Sequence, residues 1–247
     1  MSFKQYQRIT LIMAMEQEAQ PLIEQLGLVP LDMQDPVLPC RAYSGKYQRL
    51  DVSLVINGTD PIHGVQCIGT QAATLAAREA IMQFQPDLLL NAGTCGAFKD
   101  KGSNIGDVYL GDRIRYFDRR VPINDAYQNC ADGNYLCEHA ITLAKTLNMP
   151  TAVVCTGNSI DMSPTDESII QKEPIVAKEM EAAAIAWIAS LYNVPLVALK
   201  SVTDLMDGGE STTEEFQKNL AMASGNLAKA VVRLLEFLAG QQDTSSA

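Results

Sequence analysis

The feature that most constrains the fold is a repeated alternation between short apolar runs and segments with a helical stripe of apolar residues. Residues 8–14 read RITLIMA, a continuous apolar run typical of a strand buried on both faces, and residues 17–26 follow with helical spacing. The pattern is clearest where the helical segment Ala182–Tyr192 precedes an apolar strand at 195–199. Such alternation favours a parallel sheet covered on both faces. We therefore predict an α/β fold with three layers, α/β/α, around a central twisted mixed β-sheet.

Further strands and helices follow from the same patterns. We predict strands at residues 52–56, 87–91, 107–110, 113–117 and 152–155, and helices at residues 62–84, 134–147, 165–172 and 212–238. Thr165 is expected to cap its helix, and Thr212 or Thr213 the last one. We expect residues 92–96 to form a loop, residues 200–204 to form a polar end after the strand 195–199, and the polar tail 241–247 to fray.

The composition bounds the class of protein. The chain has 247 residues, of which 47% are hydrophobic and 19% charged, as is ordinary for a globular protein. It has no linker rich in Pro, Gly or Ser, so we expect a single domain over residues 1–247, with an ordered core from about 8 to 240. A net charge of −10 argues against a nucleic-acid partner, which needs a basic surface.

The chain lacks the signals of membrane and secreted proteins. No apolar run reaches the ~18 residues that span a bilayer, and the acidic AMEQEA follows the first apolar run where a signal peptide needs a cleavage site. The six cysteines show no C-x-x-C spacing, and the only histidines are His63 and His139. We therefore expect a cytoplasmic protein with buried thiols, no membrane partner and no metal site.

Two nucleotide-binding motifs are missing from the sequence. AMEQEA stands after the first strand, where dinucleotide-binding folds carry G-x-G-x-x-G, and no G-x-x-x-x-G-K-[ST] occurs. The sequence thus disfavours both a Rossmann and a P-loop nucleotide site.

Three acidic clusters lie at predicted strand ends or helix starts. Glu16 and Glu18 follow the first strand, Glu179 and Glu181 precede a helix, and Asp204 follows a strand. Each cluster alone is explained by a helix start that favours anions or by a turn residue. Because ligand sites form beyond the carboxyl ends of parallel strands, the three together favour one shared site.

Four motifs resemble those of one known family. They are AMEQEA, the strand and loop DLLLNAGTCGAF, KEMEAAAIA and VALKSVTDLMDG. In this order they resemble the 5′-methylthioadenosine/S-adenosylhomocysteine nucleosidases of the purine nucleoside phosphorylase superfamily, over about residues 9–238. The plant-type branch is the most similar, because DRRVPI and TGNSIDMSPTDE also have its character. The resemblance implies a nucleoside phosphorylase-like fold and a small-molecule nucleoside substrate.

The resemblance also implies roles for particular residues. Glu18 matches the glutamate that activates the attacking water, Glu181 the one that binds the ribose hydroxyls, and Asp204 the aspartate that protonates the purine at N7. Thr94 matches a hydroxyl residue near the water. The other substrate-binding positions, at the purine, the ribose and the loop over the base, are Cys95, Gly96, Ile160, Asp161, Glu179, Met180 and Lys200.

These residue types suit hydrolysis of an N-glycosidic bond. Adenine leaves poorly as an anion, so an acid must protonate it, and Asp204 can do so only if burial raises its pKa. The sugar becomes cationic in the transition state, which a carboxylate at Glu181 would stabilise, while Glu18 orients water. No metal or organic cofactor is needed. Together with the family resemblance, this chemistry implies cleavage of 5′-methylthioadenosine to adenine and a 5-thioribose derivative in methionine salvage, with S-adenosylhomocysteine as a second candidate substrate.

The chain departs from the common bacterial pattern at three positions. Lys200 replaces an arginine and loses its two-pronged fork, Ile160 replaces an aromatic residue that stacks on the base, and Asn158 replaces an acid. The last is also explained as a turn residue. These departures leave the range of substrates open.

Three alternatives to this nucleosidase remain. A phosphorylase of the same superfamily needs basic side chains for phosphate, but the first strand ends in the acidic stretch from Met15 to Glu18. The others are a hydrolase of a different 6-aminopurine or futalosine-like nucleoside, and a nucleoside-binding or storage protein that has lost catalysis. The last should lack one of the three carboxylates.

The resemblance also implies a homodimer. We expect self-association through the helix 62–84 and the region 116–122. A neighbour's loop, at about residues 116–123, would help to close the alkylthio end of the pocket.

Overall fold

The computed structural model describes residues 5–209 and 211–241, so the predicted frayed tail beyond Gln241 lies outside the described residues. The strands are β1 Arg8–Met13, β2 Val29–Leu31, β3 Arg41–Tyr47, β4 Leu50–Ile56, β5 Leu88–Ala97, β6 Val108–Tyr116, β7 Tyr135–Leu136, β8 Thr151–Thr156, β9 Val176–Glu179 and β10 Leu196–Leu205. The helices are α1 Glu16–Leu26, α2 Thr70–Phe84, α3 Asp125–Asp132, α4 Ala140–Leu147, α5 Pro164–Ile170, α6 Ala182–Tyr192 and α7 Thr212–Gly240, with a 3-10 turn at Lys99–Lys101. Within these two stretches, no helix is long and apolar enough to cross a membrane.

The strands form one mixed sheet with helices packed against it. The strand order is β10-β6-β8-β9-β5-β1-β4-β3-β2, and β7 pairs with β6. Strand β10 also pairs with β5, so β5, β10, β6, β8 and β9 close into a ring. Helix α1 packs on α7, and α2 packs on α6. This architecture confirms the predicted α/β fold around a central mixed sheet.

The core lies along β1, β5 and β10, which run parallel to one another. Every residue of β10 is buried, and so is all of β1 after Arg8. Strands covered on both faces need continuous apolar runs, which explains why the sequence predicts these strands well.

Strands β5 and β10 are longer than predicted. The predicted loop at 92–96 and the polar end at 200–204 are wrong, because both segments continue as paired strands, with Lys200 opposite Gly93 and Asp204 opposite Gly96. The two strands satisfy each other's backbone hydrogen bonds, so their polar and glycine residues need no turn. The register shifts between Val202 and Asp204, a bulge that changes the direction of the following side chains.

Other predicted boundaries change as well. The helix predicted from 62 begins at Thr70, and the one predicted from 134 begins at Ala140 after β7. The strands predicted at 107–110 and 113–117 are the single strand β6. Helix α5 is capped by Ser163 rather than Thr165, because the Ser163 side chain accepts from the N–H of Asp166. The last helix begins after Ser211, whose side chain makes no capping hydrogen bond.

Candidate active site

One cavity lies at the carboxyl ends of β1, β5 and β10 and beside the start of α6. Nine of the eleven predicted site residues line it, namely Glu18, Thr94, Cys95, Gly96, Ile160, Glu179, Met180, Glu181 and Asp204. Asp161 and Lys200 are not among the lining residues: Asp161 is exposed, and Lys200 is buried behind the wall. The topology therefore brings the three acidic clusters together.

Glu18 is fixed by the start of α1 and by β5. It lies in the first turn of α1, where its carboxylate accepts from the N–H of Met15 at 3.3 Å. The other oxygen accepts from the N–H of Thr94 at 2.7 Å and from the Thr94 hydroxyl at 2.6 Å. The carboxylate is thus buried yet hydrogen-bonded, and it faces the cavity in one defined orientation.

Asp204 follows the bulge in β10 and borders the cavity next to Gly96. A side chain at Gly96 would place its Cβ 2.7 Å from Asp204 Oδ2, so any larger residue here would displace the Asp204 carboxyl group. Thr203 donates its hydroxyl to Asp204 Oδ1 at 2.8 Å. Burial raises the pKa of Asp204, while the Thr203 hydroxyl and the charge of Lys178 oppose that rise. A carboxyl group of this kind can hold a proton and deliver it.

Glu179 connects three elements beneath the cavity. Its carboxylate accepts from the N–H groups of Glu181 and Ala182, at 3.0 and 2.8 Å, at the start of α6. It also accepts from the Thr156 hydroxyl of β8 and from Lys200 Nζ of β10, the latter at 2.8 Å. Both oxygens are thus occupied by protein donors, which makes Glu179 a positioning group for α6.

Lys200 is the buried partner of Glu179. Burial alone would lower the pKa of Lys200, but the carboxylates of Glu179 and Glu181 outweigh it, so the pKa is raised above the usual lysine value. The ammonium group is therefore a fixed positive charge behind the carboxylates.

Glu181 lies at the start of α6 and lines the cavity. It is half-buried and accepts from the N–H of Gly69 at 2.8 Å, at the start of α2. Desolvation of the carboxylate and the charge of Glu179 raise the pKa of Glu181 to about 7, against the opposing effect of Lys200.

The segment after β8 covers one side of the cavity through Ile160. Lys178 Nζ donates to the carbonyls of Ser159 and Ile160, at 2.8 and 2.9 Å. Asn158 accepts from the N–H of Thr70 at 2.9 Å, so its side chain caps the start of α2.

The chain is similar to known proteins over nearly its whole length. The model of the phosphorylase superfamily matches residues 8–236. A 5′-methylthioadenosine/S-adenosylhomocysteine nucleosidase of Arabidopsis thaliana is 37% identical over 238 residues, which cover 94% of this chain and 92% of the relative. A 5′-methylthioadenosine nucleosidase of the same plant is 37% identical over 236 residues, covering 94% and 88%.

A solved structure extends the match to three dimensions. The apo form of the Arabidopsis thaliana 5′-methylthioadenosine nucleosidase superposes with a TM-score of 0.93 at 36% identity, covering 97% of this chain and 98% of that one. The chain belongs to the 5′-methylthioadenosine/S-adenosylhomocysteine nucleosidase family. It is therefore an N-glycosidic hydrolase of the phosphorylase superfamily, and the resemblance inferred from its motifs is confirmed.

Several residues lining this nucleosidase cavity escaped the sequence analysis. Ile68 precedes α2 and Phe216 lies near the start of α7, and neither belongs to a recognisable motif. Lys178 could have been found, because it lies two residues before Met180 in the same motif. The remaining unpredicted lining residues are Ala14, Met15, Thr203 and Met206.

The raised pKa of Glu181 makes stability depend on pH. Between the ordinary pKa of 4.5 and a pH of about 7, Glu181 is protonated in the folded protein but ionised in the unfolded chain. The resulting stabilisation is present below 4.5 and is lost as the pH rises through about 7. Replacing Glu181 by Gln should remove up to about 3 kcal/mol of this decline in the free energy of unfolding. Urea titrations of both proteins at several pH values measure it, and Glu24→Gln, on the exposed face of α1, is the control. If the free energy of unfolding declined equally with pH in the wild type and in Glu181→Gln, the raised pKa of Glu181 would be contradicted.

Proposed function

We propose that the chain hydrolyses the N-glycosidic bond of 5′-methylthioadenosine, giving adenine and 5-methylthioribose. The observation that carries this proposal is that Glu18, Glu181 and Asp204 border one cavity from three different elements. Both Arabidopsis relatives are named for 5′-methylthioadenosine, and one of them also for S-adenosylhomocysteine, which is the second candidate substrate. The predicted role in methionine salvage and the cytoplasmic location belong to this proposal.

Asp204 is the general acid of the proposed reaction. As the bond between C1′ and N9 breaks, its electron pair moves into the purine, and N7 takes the proton of the Asp204 carboxyl group. Burial of Asp204 supports this role, because it raises the pKa of the carboxyl group and so favours the protonated form that an acid needs. The reaction leaves neutral adenine and an Asp204 carboxylate.

Glu18 and Glu181 act on the sugar side of the proposed reaction. Glu18 accepts a proton from the water whose oxygen forms the new bond to C1′, and the Thr94 hydrogen bonds keep its carboxylate in place. Glu181 binds the ribose hydroxyls and places negative charge near the sugar cation. Its bond to the N–H of Gly69 leaves the other oxygen for the ribose.

The positive charges near the cavity already have partners, which argues against phosphorolysis. Within the described part of the chain, Lys200 is paired with Glu179, and Lys178 is bonded to two carbonyl groups. Arg41 pairs with Glu16 at the surface. A phosphate ion would therefore meet Glu18 without a free cation beside it.

The first test is adenine release from 5′-methylthioadenosine, with and without phosphate. We expect release that does not depend on phosphate, because water is the nucleophile. S-adenosylhomocysteine assayed in parallel gives the range of substrates. Release only with phosphate would identify a phosphorylase, and no release from either nucleoside would favour another substrate or the non-catalytic binding protein.

Replacing Asp204 by Asn should nearly abolish turnover. The amide cannot donate the proton that adenine needs, so we expect kcat to fall about 100-fold or more while nucleoside still binds. Asp87→Asn is the matched control, because Asp87 accepts from Arg8 at the opposite end of β5. Single-turnover kinetics and equilibrium binding separate the two effects. An Asp204→Asn variant with normal turnover would show that another group is the acid.

An exposed apolar face supports the proposed homodimer. Helices α2 and α6 pack together, and Leu75, Met82, Trp187 and Leu191 each have between 45% and 59% of their surface exposed there. Patches of this kind mark interaction sites. Ile68 is both exposed and part of the cavity wall, so the face continues into the site.

We shorten the segment proposed to reach the neighbouring subunit, which the sequence analysis set at residues 116–123. Tyr116 and Phe117 are buried within their own chain, whereas Ile123 is 68% exposed. Residues 118–123 therefore remain as the segment that would reach across the dimer.

A charge placed on this face should separate the dimer. We expect Trp187→Glu to be a monomer at micromolar concentration, with a raised KM because the neighbour's loop is lost. Light scattering after size-exclusion chromatography measures the mass. Met222→Glu, at an exposed position of α7, should remain dimeric. A fully active wild-type monomer at the same concentration would contradict the proposed dimer.

A further inference from the structure

Lys178 is a buried ammonium group for which the proposed reaction has no role. It lies on β9 and is 5% exposed. Its Nζ donates to the carbonyls of Ser159 and Ile160 and lies 5.5 Å from the centre of the Phe117 ring. Burying a charge is costly unless an opposite charge compensates it. The groups that contact Lys178 Nζ here are two carbonyls and an aromatic ring, none of which carries a negative charge. The charge of Lys178 is therefore only partly compensated.

The register of the sheet places Lys178 and Asp204 on either side of Gly96. Gly96 of β5 pairs with Lys178 of β9 and with Asp204 of β10. Neighbouring strands lie about 5 Å apart and residues in register point to the same face, so the three residues share one face of the sheet. Gly96 has no side chain to separate the other two, and all three line the cavity.

The charge of Lys178 acts on Asp204. Burial raises the pKa of Asp204, and Lys178 lowers it. Burial lowers the pKa of Lys178, and Asp204, Asp161, Glu179 and Asp118 oppose that change. Glu215, at the start of α7, is a further charged group that acts on Asp204, and it raises the pKa of Asp204.

We propose that Lys178 is a positioning residue of the glycosidic cleavage: it holds the segment 159–161 over the base and stabilises the carboxylate that Asp204 becomes. This inference rests on the proposed function and adds a residue to it. The proton passes from Asp204 to N7 of the purine, and Lys178 keeps its own protons throughout. The carboxylate therefore forms opposite a positive charge that is already in place, as preorganised electrostatic stabilisation requires.

The loop contacts give Lys178 its second effect. Ile160 is 49% exposed and lies on a segment without helix or strand, so its own packing holds it weakly. Asn158 anchors the beginning of this segment to Thr70, and Lys178 holds the next two residues from below. Loss of the ammonium group would release the cover of the base while leaving the anchor at Asn158.

The test compares Lys178→Met with Lys101→Met. Lys101 is a matched control outside the cavity, because its Nζ also donates to two carbonyls, of Gln171 and Glu173, and lies 5.9 Å from the Phe98 ring. For Lys178→Met we expect kcat to fall about 10- to 100-fold and KM to rise, with little change for Lys101→Met. The fall of kcat at alkaline pH should move to higher pH, because Asp204 loses its proton less readily without the charge. In Lys178→Arg, which keeps the positive charge, the fall of kcat at alkaline pH should stay at the wild-type pH.

A second measurement needs no turnover. Carbon-13 NMR of labelled aspartate, with Asp204→Asn to assign the signal, follows the titration of Asp204 directly. We expect its midpoint to rise in Lys178→Met and not in Lys101→Met. An unchanged titration midpoint of Asp204 in folded Lys178→Met would overturn the inference. So would an alkaline fall of kcat that moves as far in Lys178→Arg as in Lys178→Met. Absence of adenine release by the wild type would instead overturn the proposed function, while the NMR titration still decides the effect on Asp204.

Discussion

The arrangement of the site depends on the buried ion pair between Glu179 and Lys200. Both side chains are 1% exposed, and two charges removed from water are stable only when further hydrogen bonds complete them. Here the N–H groups at the start of α6 and the Thr156 hydroxyl provide those bonds. The pair thereby joins β10, β8 and α6, which puts Glu181 on a rigid support. A buried ion pair of this kind contributes little to stability, so its main effect here is to fix the position of Glu181.

Desolvation then gives the remaining carboxyl groups different properties. Asp204 and Glu181 have raised pKa values because both are withdrawn from water. Glu18 differs in its surroundings, since the backbone and hydroxyl of Thr94 donate to one of its oxygens. A carboxyl group with a raised pKa and a hydrogen-bonded carboxylate in one cavity suit the two partners that acid and base catalysis requires.

The sequence predicts the fold where burial imposes a pattern and misses it elsewhere. The buried strands β1, β5 and β10 are found from their apolar runs, but β2 is entirely exposed and α3 has one buried residue, so neither leaves a clear pattern. The extension of β5 and β10 is missed because polar and glycine residues at strand ends usually mean loops. For the site, the motifs identify the carboxylates, whereas Ile68 and Phe216 come from segments that only the tertiary structure brings near.

Two buried lysines near the cavity show why residue type alone does not define a role. Lys200 has a carboxylate partner at 2.8 Å and a raised pKa, so its charge is already neutralised in the resting protein. Lys178 has two carbonyl partners and a lowered pKa, so its charge is only partly compensated there. A partly compensated charge gains most when a new anion forms nearby. In the proposed reaction that anion is the carboxylate of Asp204, across Gly96, and it exists only after the purine has taken the proton. The asymmetry between the two lysines thus separates the group that maintains the structure from the group that responds to the chemistry.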